Sequence, residues 1–227
     1  NKLEMIPDEI SDTIDEKKTL ILMAKTHAGV AGWNSSKFGF THLEKLNLLL
    51  KNPEYEKDAV VTLHEGMRKG EMTKTHFNFV NANGDFKNDF RLMSPDVVDK
   101  KVKDTALKGD PKFAFEFAPT MAAIARLKLM AAVHNEEPFV TLSVRETDGI
   151  YDLYFTWGDE DTHTGEYVFQ NNVGARLSSE LMYPVEDIQK ILALQGNCTM
   201  KVTDGLLGFE VDSGMTAYNF YLPAQDK

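Results

Sequence analysis

The sequence predicts an α+β protein of two similar domains, each made of a pair of β-α-β-β-β-like units. Three observations support this prediction. The 227 residues suffice for one large domain or two smaller ones, and 42% of them are hydrophobic. A pattern of strand, helix and further strands recurs at a spacing of about 70 residues, longer than the common solenoid periods. Asp-Gly and Ser-Gly pairs mark tight turns between the strands.

Three copies of this unit are clear, and each begins with an extended run that leads into a helix. They begin at Lys37, Lys112 and Ser179. At the first helix, Thr41 with Glu44 three residues later forms a capping-box pattern. Thr120 is the expected N-cap of the second helix, and Pro184 lies at the start of the third, which we expect to stop at Gly196.

Strand-forming segments follow each predicted helix and end at turn residues. They are Ala59–Leu63 after the first, Phe139–Val144 and Ile150–Trp157 after the second, and Cys198–Val202, Leu206–Val211 and Thr216–Leu222 after the third. The alternation of the last segment places Tyr218, Phe220 and Leu222 on one face.

A weaker fourth copy is expected at the start of the chain. It would comprise a short acidic helix at Pro7–Glu16 and strands at Thr19–Ala24 and Ala28–Trp33. We therefore predict an N-terminal domain at 1–105, with a first quarter that is truncated or degenerate, and a C-terminal domain at 111–227. The charged, turn-rich segment 94–110 is expected to be a solvated connector.

The sequence offers no sign of catalytic chemistry. The six histidines form no zinc motif, and no phosphate-binding loop, dinucleotide fingerprint or nucleophile elbow is present. The single cysteine, Cys198, cannot form an intrachain disulfide and fits a reducing cytoplasm. No apolar run is long enough to span a bilayer, so we expect no membrane association. We predict a non-enzyme without metal or cofactor; a hydrolase with dispersed catalytic groups is an open alternative.

The charge pattern restricts how the chain could bind nucleic acid. A net charge of −10 argues against bulk attraction to DNA, so any contact must come from a few clustered cations. Each of the three predicted helices carries at least one cation away from its apolar stripe. These cations are Arg126 and Lys128 on the second helix, Lys45 and Lys51 on the first, and Lys190 on the third.

Three segments resemble DNA polymerase sliding clamps, specifically those of T-even-type bacteriophages. FGFTHLEKLNLLLKNPEY, followed by DAVVTLHEG, is similar to the strand, helix and returning strand of the first clamp domain. FAFEFAPTMAAIARLKLMA, followed by FVTLSVRETDGIYDLYF, is similar to the opening of the second domain, and YPVEDIQKILALQGNCTMKVTDGLLGFEVDSGMTAYNFYLPAQ to its end. The resemblance covers roughly residues 38 to 225, and the order of the segments carries more weight than any one of them.

The resemblance implies two DNA-clamp domains in a ring, with helices lining the interior and sheets outside. It implies a homotrimer that encircles duplex DNA as a processivity factor and binds a DNA polymerase and a clamp loader. Arg126 matches a basic residue of the inner helix in the family's second domain, and Lys128, Lys45, Lys51 and Lys190 are assigned as DNA-facing because their helices are equivalent. A phage protein of this kind would act in the host cytoplasm.

The resemblance also implies a pocket for partner peptides near the connector and the C-terminus. It would be formed by Val97, Val98, Leu222 and Pro223, although these residues could equally be core or strand-end residues. A phage protein-binding module with duplicated α+β domains and no role on DNA is the alternative function.

Overall fold

The structure, a computed structural model, describes residues 10–14, 20–29, 38–103, 111–159, 161 and 163–225. The strands in chain order are β1 (Ile10–Ile14), β2 (Ile21–Thr26), β3 (Gly39–Phe40), β4 (Val60–Arg68), β5 (Glu71–Val80), β6 (Lys87–Met93), β7 (Phe115–Phe117), β8 (Phe139–Thr147), β9 (Ile150–Trp157), β10 (Gly165–Gln170), β11 (Leu181–Pro184), β12 (Asn197–Thr203), β13 (Leu206–Asp212) and β14 (Thr216–Pro223). The helices are α1 (Leu43–Leu50), α2 (Pro95–Lys103), α3 (Met121–Val133) and α4 (Val185–Leu192).

These elements form two compact units. Residues 38–103 belong to the first unit, and residues 10–14, 20–28 and the described part of 111–225 belong to the second. The first unit has one sheet in the order β3-β6-β5-β4, together with α1 and α2. The second unit has a four-stranded sheet, β10-β9-β8-β11, and a six-stranded sheet, β1-β2-β14-β13-β12-β7, together with α3 and α4. This mixed arrangement confirms the predicted α+β class.

The second unit encloses a large apolar core. Leu127 of α3 and Ile188 of α4 are fully buried in it, as are inward-facing residues of both sheets. Trp157 is also fully buried, and its ring lies 6.1 Å from those of His134 and Tyr167. The alternation of β14 is as predicted, because Phe220 and Leu222 face this core. Two helices therefore anchor the packing of two sheets.

The first unit has a smaller core, formed by five buried residues. They are Leu49, Phe77, Phe79, Phe90 and Leu92. Phe40 stacks on Phe77 with ring centroids 6.1 Å apart, which attaches β3 to the sheet. Phe77 and Phe90 face one another across β5 and β6, and Phe209 and Phe220 do so across β13 and β14. The order strand, helix and three antiparallel strands is thus repeated from β3 to β6 and from β11 to β14.

The start of the chain differs from its prediction. The expected acidic helix at Pro7–Glu16 is wrong for residues 10–14, which form β1, because β-branched Ile10, Thr13 and Ile14 favour an extended chain over a helix. The predicted strand Thr19–Ala24 corresponds to β2, whereas Ala28–Trp33 lies mostly outside the described residues.

This segment also joins a different domain from the one predicted. The interpretation of 1–105 as one domain placed it in the N-terminal half, but β2 pairs with β14 of the second unit. The pairing runs from Thr216↔Thr26 to Tyr221↔Ile21. It satisfies the outer backbone groups of β14, which would otherwise form an exposed edge. A pairing between residues so far apart in sequence leaves no local signal.

Three local predictions at helix ends need correction. The third predicted helix was expected to stop at Gly196, but α4 ends at Leu192, with Ala193 as its C-cap residue. Segment 94–110 was predicted to be a connector, but α2 begins within it, with proline at the first helical position and an adjacent acidic residue, Asp96. The predicted N-cap of α1, Thr41, is wrong: the N-cap is His42, in a left-handed conformation with φ 49° and without a side-chain cap. By contrast, the Thr120 hydroxyl caps α3 by accepting a hydrogen bond from the Ala123 amide at 3.1 Å, as predicted.

Candidate nucleic-acid interface

The helix α3 presents the clearest cationic surface in the second unit. Its inner face buries Ala123, Ile124 and Leu127. Its outer face exposes Arg126 and Lys128, its only charged residues. Among the described residues, no carboxylate forms an ion pair with either one. Both charges are therefore available to a phosphate group.

The environment of Arg126 includes a buried tyrosine. The Tyr167 hydroxyl donates to the Ala123 carbonyl at 3.3 Å, which attaches β10 to α3. Burial raises the pKa of Tyr167, and the positive charge of Arg126 partly opposes that rise. Tyr167 therefore stays neutral at physiological pH and leaves the charge of Arg126 uncompensated.

The helix α4 is electrostatically different from α3. Lys190 is exposed, but its ammonium lies 2.6 Å from the Glu186 carboxylate one turn earlier. This hydrogen bond and its charge raise the pKa of Lys190, and Asp187 adds to the effect. With two acidic residues in its first turn, α4 carries one more negative charge than positive. Lys190 is thus a weaker candidate for contacting phosphate.

In the first unit, the predicted cations lie at the two ends of α1. Lys45 lies in the first turn beside Glu44, and Lys51 is the C-cap residue; both side chains are exposed. No carboxylate of the described residues forms an ion pair with them. The structure thus places all five predicted cations on or beside the predicted helices and leaves them exposed, but their contact with DNA stays a prediction.

The residues of the predicted peptide pocket have different environments. Leu222 is fully buried in the core of the second unit, and its place in the pocket stays a prediction. Pro223 is half-buried at the end of β14. In the first unit, Val97 is exposed on α2, whereas Val98 is half-buried against Gly39 of β3.

A different apolar groove opens in the second unit, between α4 and the helix-facing side of β2 and β14. Its volume is about 410 Å³. Apolar residues supply most of its lining: Leu20, Leu22, Ile191, Leu194, Tyr218 and Phe220. The sequence could not reveal this groove, because it exists only when β2 lies beside β14.

The histidines of the described residues do not form part of a metal site. His64 and His76 stack across β4 and β5 with ring centroids 4.6 Å apart, and the Asp89 carboxylate lies 3.9 Å from His76. Burial lowers the pKa of His76, and Asp89 opposes that change. Within the described part of the chain, no three His, Cys, Asp or Glu side chains are placed to share a metal ion. Burial raises the pKa of the Cys198 thiol to about 11, which disfavours the reactive thiolate.

None of the helices in the described part of the chain is both long and apolar enough to cross a membrane.

Comparison with known sequences identifies no relative: no protein-family model and no curated protein matches the chain.

Comparison with solved structures identifies its fold. The chain is similar to PCNA of A. fulgidus, solved with the C-terminal region of FEN-1, at a TM-score of 0.60 and 11% identity, over 96% of this chain and 85% of that one. It is similar to the proliferating cellular nuclear antigen of Entamoeba histolytica at a TM-score of 0.58 and 11% identity, with the same coverage. It is also similar to the DNA polymerase III subunit beta sliding clamp of Bartonella birtlesii LL-WM9. That comparison has a TM-score of 0.58 and 12% identity, and it covers 98% of this chain and 56% of that one. The chain therefore has the α+β fold of sliding clamps.

Proposed function

We propose that this chain is a DNA sliding clamp, a ring-forming processivity factor that encircles duplex DNA and tethers a replicative polymerase. The observation that carries the proposal is the fold, which matches clamp structures over 96% or more of the chain in each of three comparisons. A fold alone does not fix a function. The charges on the helices supply the second argument.

Arg126 and Lys128 are the residues proposed to contribute most to the DNA contact. They are exposed, lack ion-pair partners among the described residues, and lie on a helix whose other outward residues are uncharged. Sliding requires contacts that exchange readily, and exposed cations on an acidic chain supply such contacts without base recognition. Lys45 and Lys51 would add to this contact. Lys190 would contribute least, because Glu186 neutralises its charge.

A ring needs copies of the chain to associate, and we propose a homotrimer. β10 lies at one edge of its sheet among the described residues, so its outer backbone groups are open to pairing with another strand. The function also requires a DNA polymerase and a clamp loader as partners, and it requires no catalytic residue or cofactor. The resemblance to clamps of T-even-type phages supports a viral origin and action in the host cytoplasm. Val97, Val98, Leu222 and Pro223 remain the proposed contacts for partner peptides.

The first test concerns assembly. Light scattering at micromolar concentration should give about three times the 25.6 kDa of the single chain. A chain that stays monomeric at all accessible concentrations would contradict the ring.

The second test concerns topology on DNA. The chain is equilibrated with nicked circular plasmid, separated by gel filtration, and the plasmid is then cut once with a restriction enzyme. A ring should be retained on the circle and lost after cutting, whereas equal retention on both forms argues against encirclement. Binding to a polymerase peptide with no dependence on DNA would instead support the protein-binding module.

The third test concerns the cations. Arg126→Glu with Lys128→Glu should weaken retention and reduce the slope of log affinity against log salt by about 2, since two phosphate contacts are lost. Lys112→Glu with Arg176→Glu is the charge-matched control, because both residues are exposed in the same unit but lie outside the helices. An equal effect of the control would show that only net charge matters.

A further inference from the structure

A row of three basic side chains crosses the sheet of the first unit on the face away from its core. His64 of β4 is paired with His76 of β5, and His76 is paired with Arg91 of β6. The adjacent residues Phe77 and Phe90 are buried in the core, and successive residues of a strand point to opposite faces, so the row lies on the other face. His76 belongs to the middle strand and therefore has a neighbour on each side.

On the side of β4, His76 stacks on His64. The ring centroids are 4.6 Å apart, and the rings lie within 5° of parallel. The stack lies beside a β-bulge, in which Thr75 is the extra residue of β5 between the paired residues His76 and Lys74. The Thr75 hydroxyl donates to the His64 carbonyl at 3.1 Å. Side chains of β5 thus hold β4 at a point where the backbone ladder is interrupted.

The same hydroxyl fixes which nitrogen of neutral His76 carries the proton. The Thr75 oxygen lies 3.0 Å from Nδ1 of His76. A hydroxyl has one hydrogen, and this one is donated to the His64 carbonyl, so the oxygen accepts a hydrogen bond from Nδ1–H. Nε2 of His76 is therefore unprotonated in the neutral ring, and its lone pair is the one that takes up a proton.

On the side of β6, the Asp89 carboxylate lies 3.9 Å from Nε2 of His76, too far for a hydrogen bond. The Asn78 amide donates to Asp89 at 2.8 Å and lowers the pKa of that carboxyl, so Asp89 is ionised wherever histidines titrate. A proton on Nε2 would supply the missing donor. A charge-assisted hydrogen bond of about 2.8 Å would bring the ring roughly 1 Å closer to β6.

We propose that His76 is a proton-operated switch between the two strands that flank β5. The neutral ring stacks on His64 and holds β4, whereas the protonated ring turns to Asp89 and releases β4. β4 is the strand that responds, because among the described residues it lies at the edge of its sheet and pairs with β5 alone. The proposal does not depend on the proposed function.

The surrounding charges determine the direction of the effect. Burial lowers the pKa of His76, and Asp89 opposes this change. Three further groups add to the lowering: Arg91, His64 and Arg68. Because the folded pKa lies below the ordinary 6.5, the stabilisation from neutral His76 is complete above that pH and is lost as the pH falls below it. Acidification should therefore loosen β4.

The first test is the tautomer of His76. Long-range proton–nitrogen NMR of the whole chain at about pH 8, where histidines are neutral, distinguishes Nδ1–H from Nε2–H. His76 should be the Nδ1–H tautomer, and Thr75→Val should abolish this preference because the acceptor is removed. An Nε2–H tautomer in the unaltered chain would overturn the proposal.

The second test is the response of β4 to acid. Amide hydrogen exchange, corrected for its intrinsic pH dependence, is compared between about pH 8 and about pH 5. Relative to the amides of β8, those of β4 should lose protection by up to about ten-fold for each pH unit between the folded and unfolded pKa of His76. His76→Phe keeps a flat ring beside His64 but takes up no proton, so this loss should disappear. Its persistence in His76→Phe would contradict the switch.

Two carboxylate variants test the role of Asp89. Asp89→Asn should lower the pKa of His76 further, because the charge that favours its protonated form is removed. Glu71→Gln is the matched control: it removes the same charge at the exposed start of β5, five residues or about 17 Å along the strand, which exceeds the Debye length. Equal shifts in the two variants would show that only net charge matters and would overturn the assignment of Asp89. Circular dichroism should show that all the variants fold.

Discussion

The two units share a repeated core but differ in how completely that core is enclosed. Among the described residues, five buried apolar side chains form the core of the first unit and twenty-four form that of the second. Phe77 and Phe90 in one unit are matched by Phe209 and Phe220 in the other, so the shared interior is alike. The difference lies at the periphery, where α3 and β7 complete the second unit. The two units thus share a similar centre and differ at their borders.

The largest effect should come from the last residues of α1 and α4, which are both leucines. Leu192→Ala removes a buried side chain and should cost about 2–5 kcal/mol of unfolding free energy, whereas Leu50→Ala should change it by less than about 0.5 kcal/mol. Urea unfolding followed by circular dichroism measures both. Similar losses would mean that Leu50 is enclosed in solution.

A second comparison uses glycines with positive φ. A Cβ at Gly196 would lie 2.2 Å from the carbonyl oxygen of Asp212 at φ +133°, whereas a Cβ at Gly70, φ +88°, would meet no atom within 4 Å. Gly70→Ala should cost about 1–2 kcal/mol from backbone strain alone, and Gly196→Ala should cost more, because the backbone must also move. Thermal unfolding of the two variants in parallel provides the measurement, and equal shifts in Tm would contradict the close approach.

A third comparison concerns the starts of two helices. Thr120→Ala removes the cap of α3 and should cost about 1 kcal/mol. His42→Gly relieves a left-handed residue at the start of α1 and should stabilise the first unit by up to about 1 kcal/mol. Urea midpoints should therefore move in opposite directions. A loss in both variants would show that His42 makes a contact that matters more than its backbone conformation.

The smallest effect concerns one carboxylate in each unit. The Lys69 ammonium and the Ser94 hydroxyl hold the pKa of Asp96 at about 2, below the ordinary 3.8, and His27 lowers the pKa of Asp212 in the second unit. Since the folded pKa of Asp96 is depressed, its contribution to stability is complete above pH 3.8 and is lost as the pH falls towards 2.

Carbon-detected NMR titration tests this directly. Lys69→Met should raise the pKa of Asp96 towards 3.8 and leave that of Asp212 unchanged. An unaltered pKa of Asp96 would show that the ion pair does not persist in solution.

The sequence was most informative where structure is decided locally. Asp148 and Gly149 form a turn with φ angles of 53° and 79°, and aspartate and glycine are residues that tolerate positive φ. The Asp-Gly pair therefore located the turn between β8 and β9 correctly. β5 and β6 were not among the expected strands, because polar residues such as Lys74 interrupt their apolar alternation. Lys74 is nevertheless buried beside Glu65, an ion pair that only the folded sheet creates.

In the candidate site, too, some features follow from the local sequence and others arise only in the folded structure. The exposure of Arg126 and Lys128 follows from the helical spacing of the residues around them, whereas the pairing of Lys190 with Glu186 limits its value as a free charge. The groove beside α4 depends on Leu20 and Leu22 reaching β14 from the other end of the chain. No local pattern contains that information.

Trp157 gives the second unit an optical signal of its own. Its indole is buried in the core beside the rings of His134 and Tyr167. Its fluorescence emission should therefore lie at short wavelength and shift to the red when the second unit unfolds. The chain has one other tryptophan, Trp33, which lies outside the described residues. Replacing Trp33 with phenylalanine would leave Trp157 as the single tryptophan. Unfolding of the second unit could then be followed by tryptophan fluorescence, separately from that of the first unit.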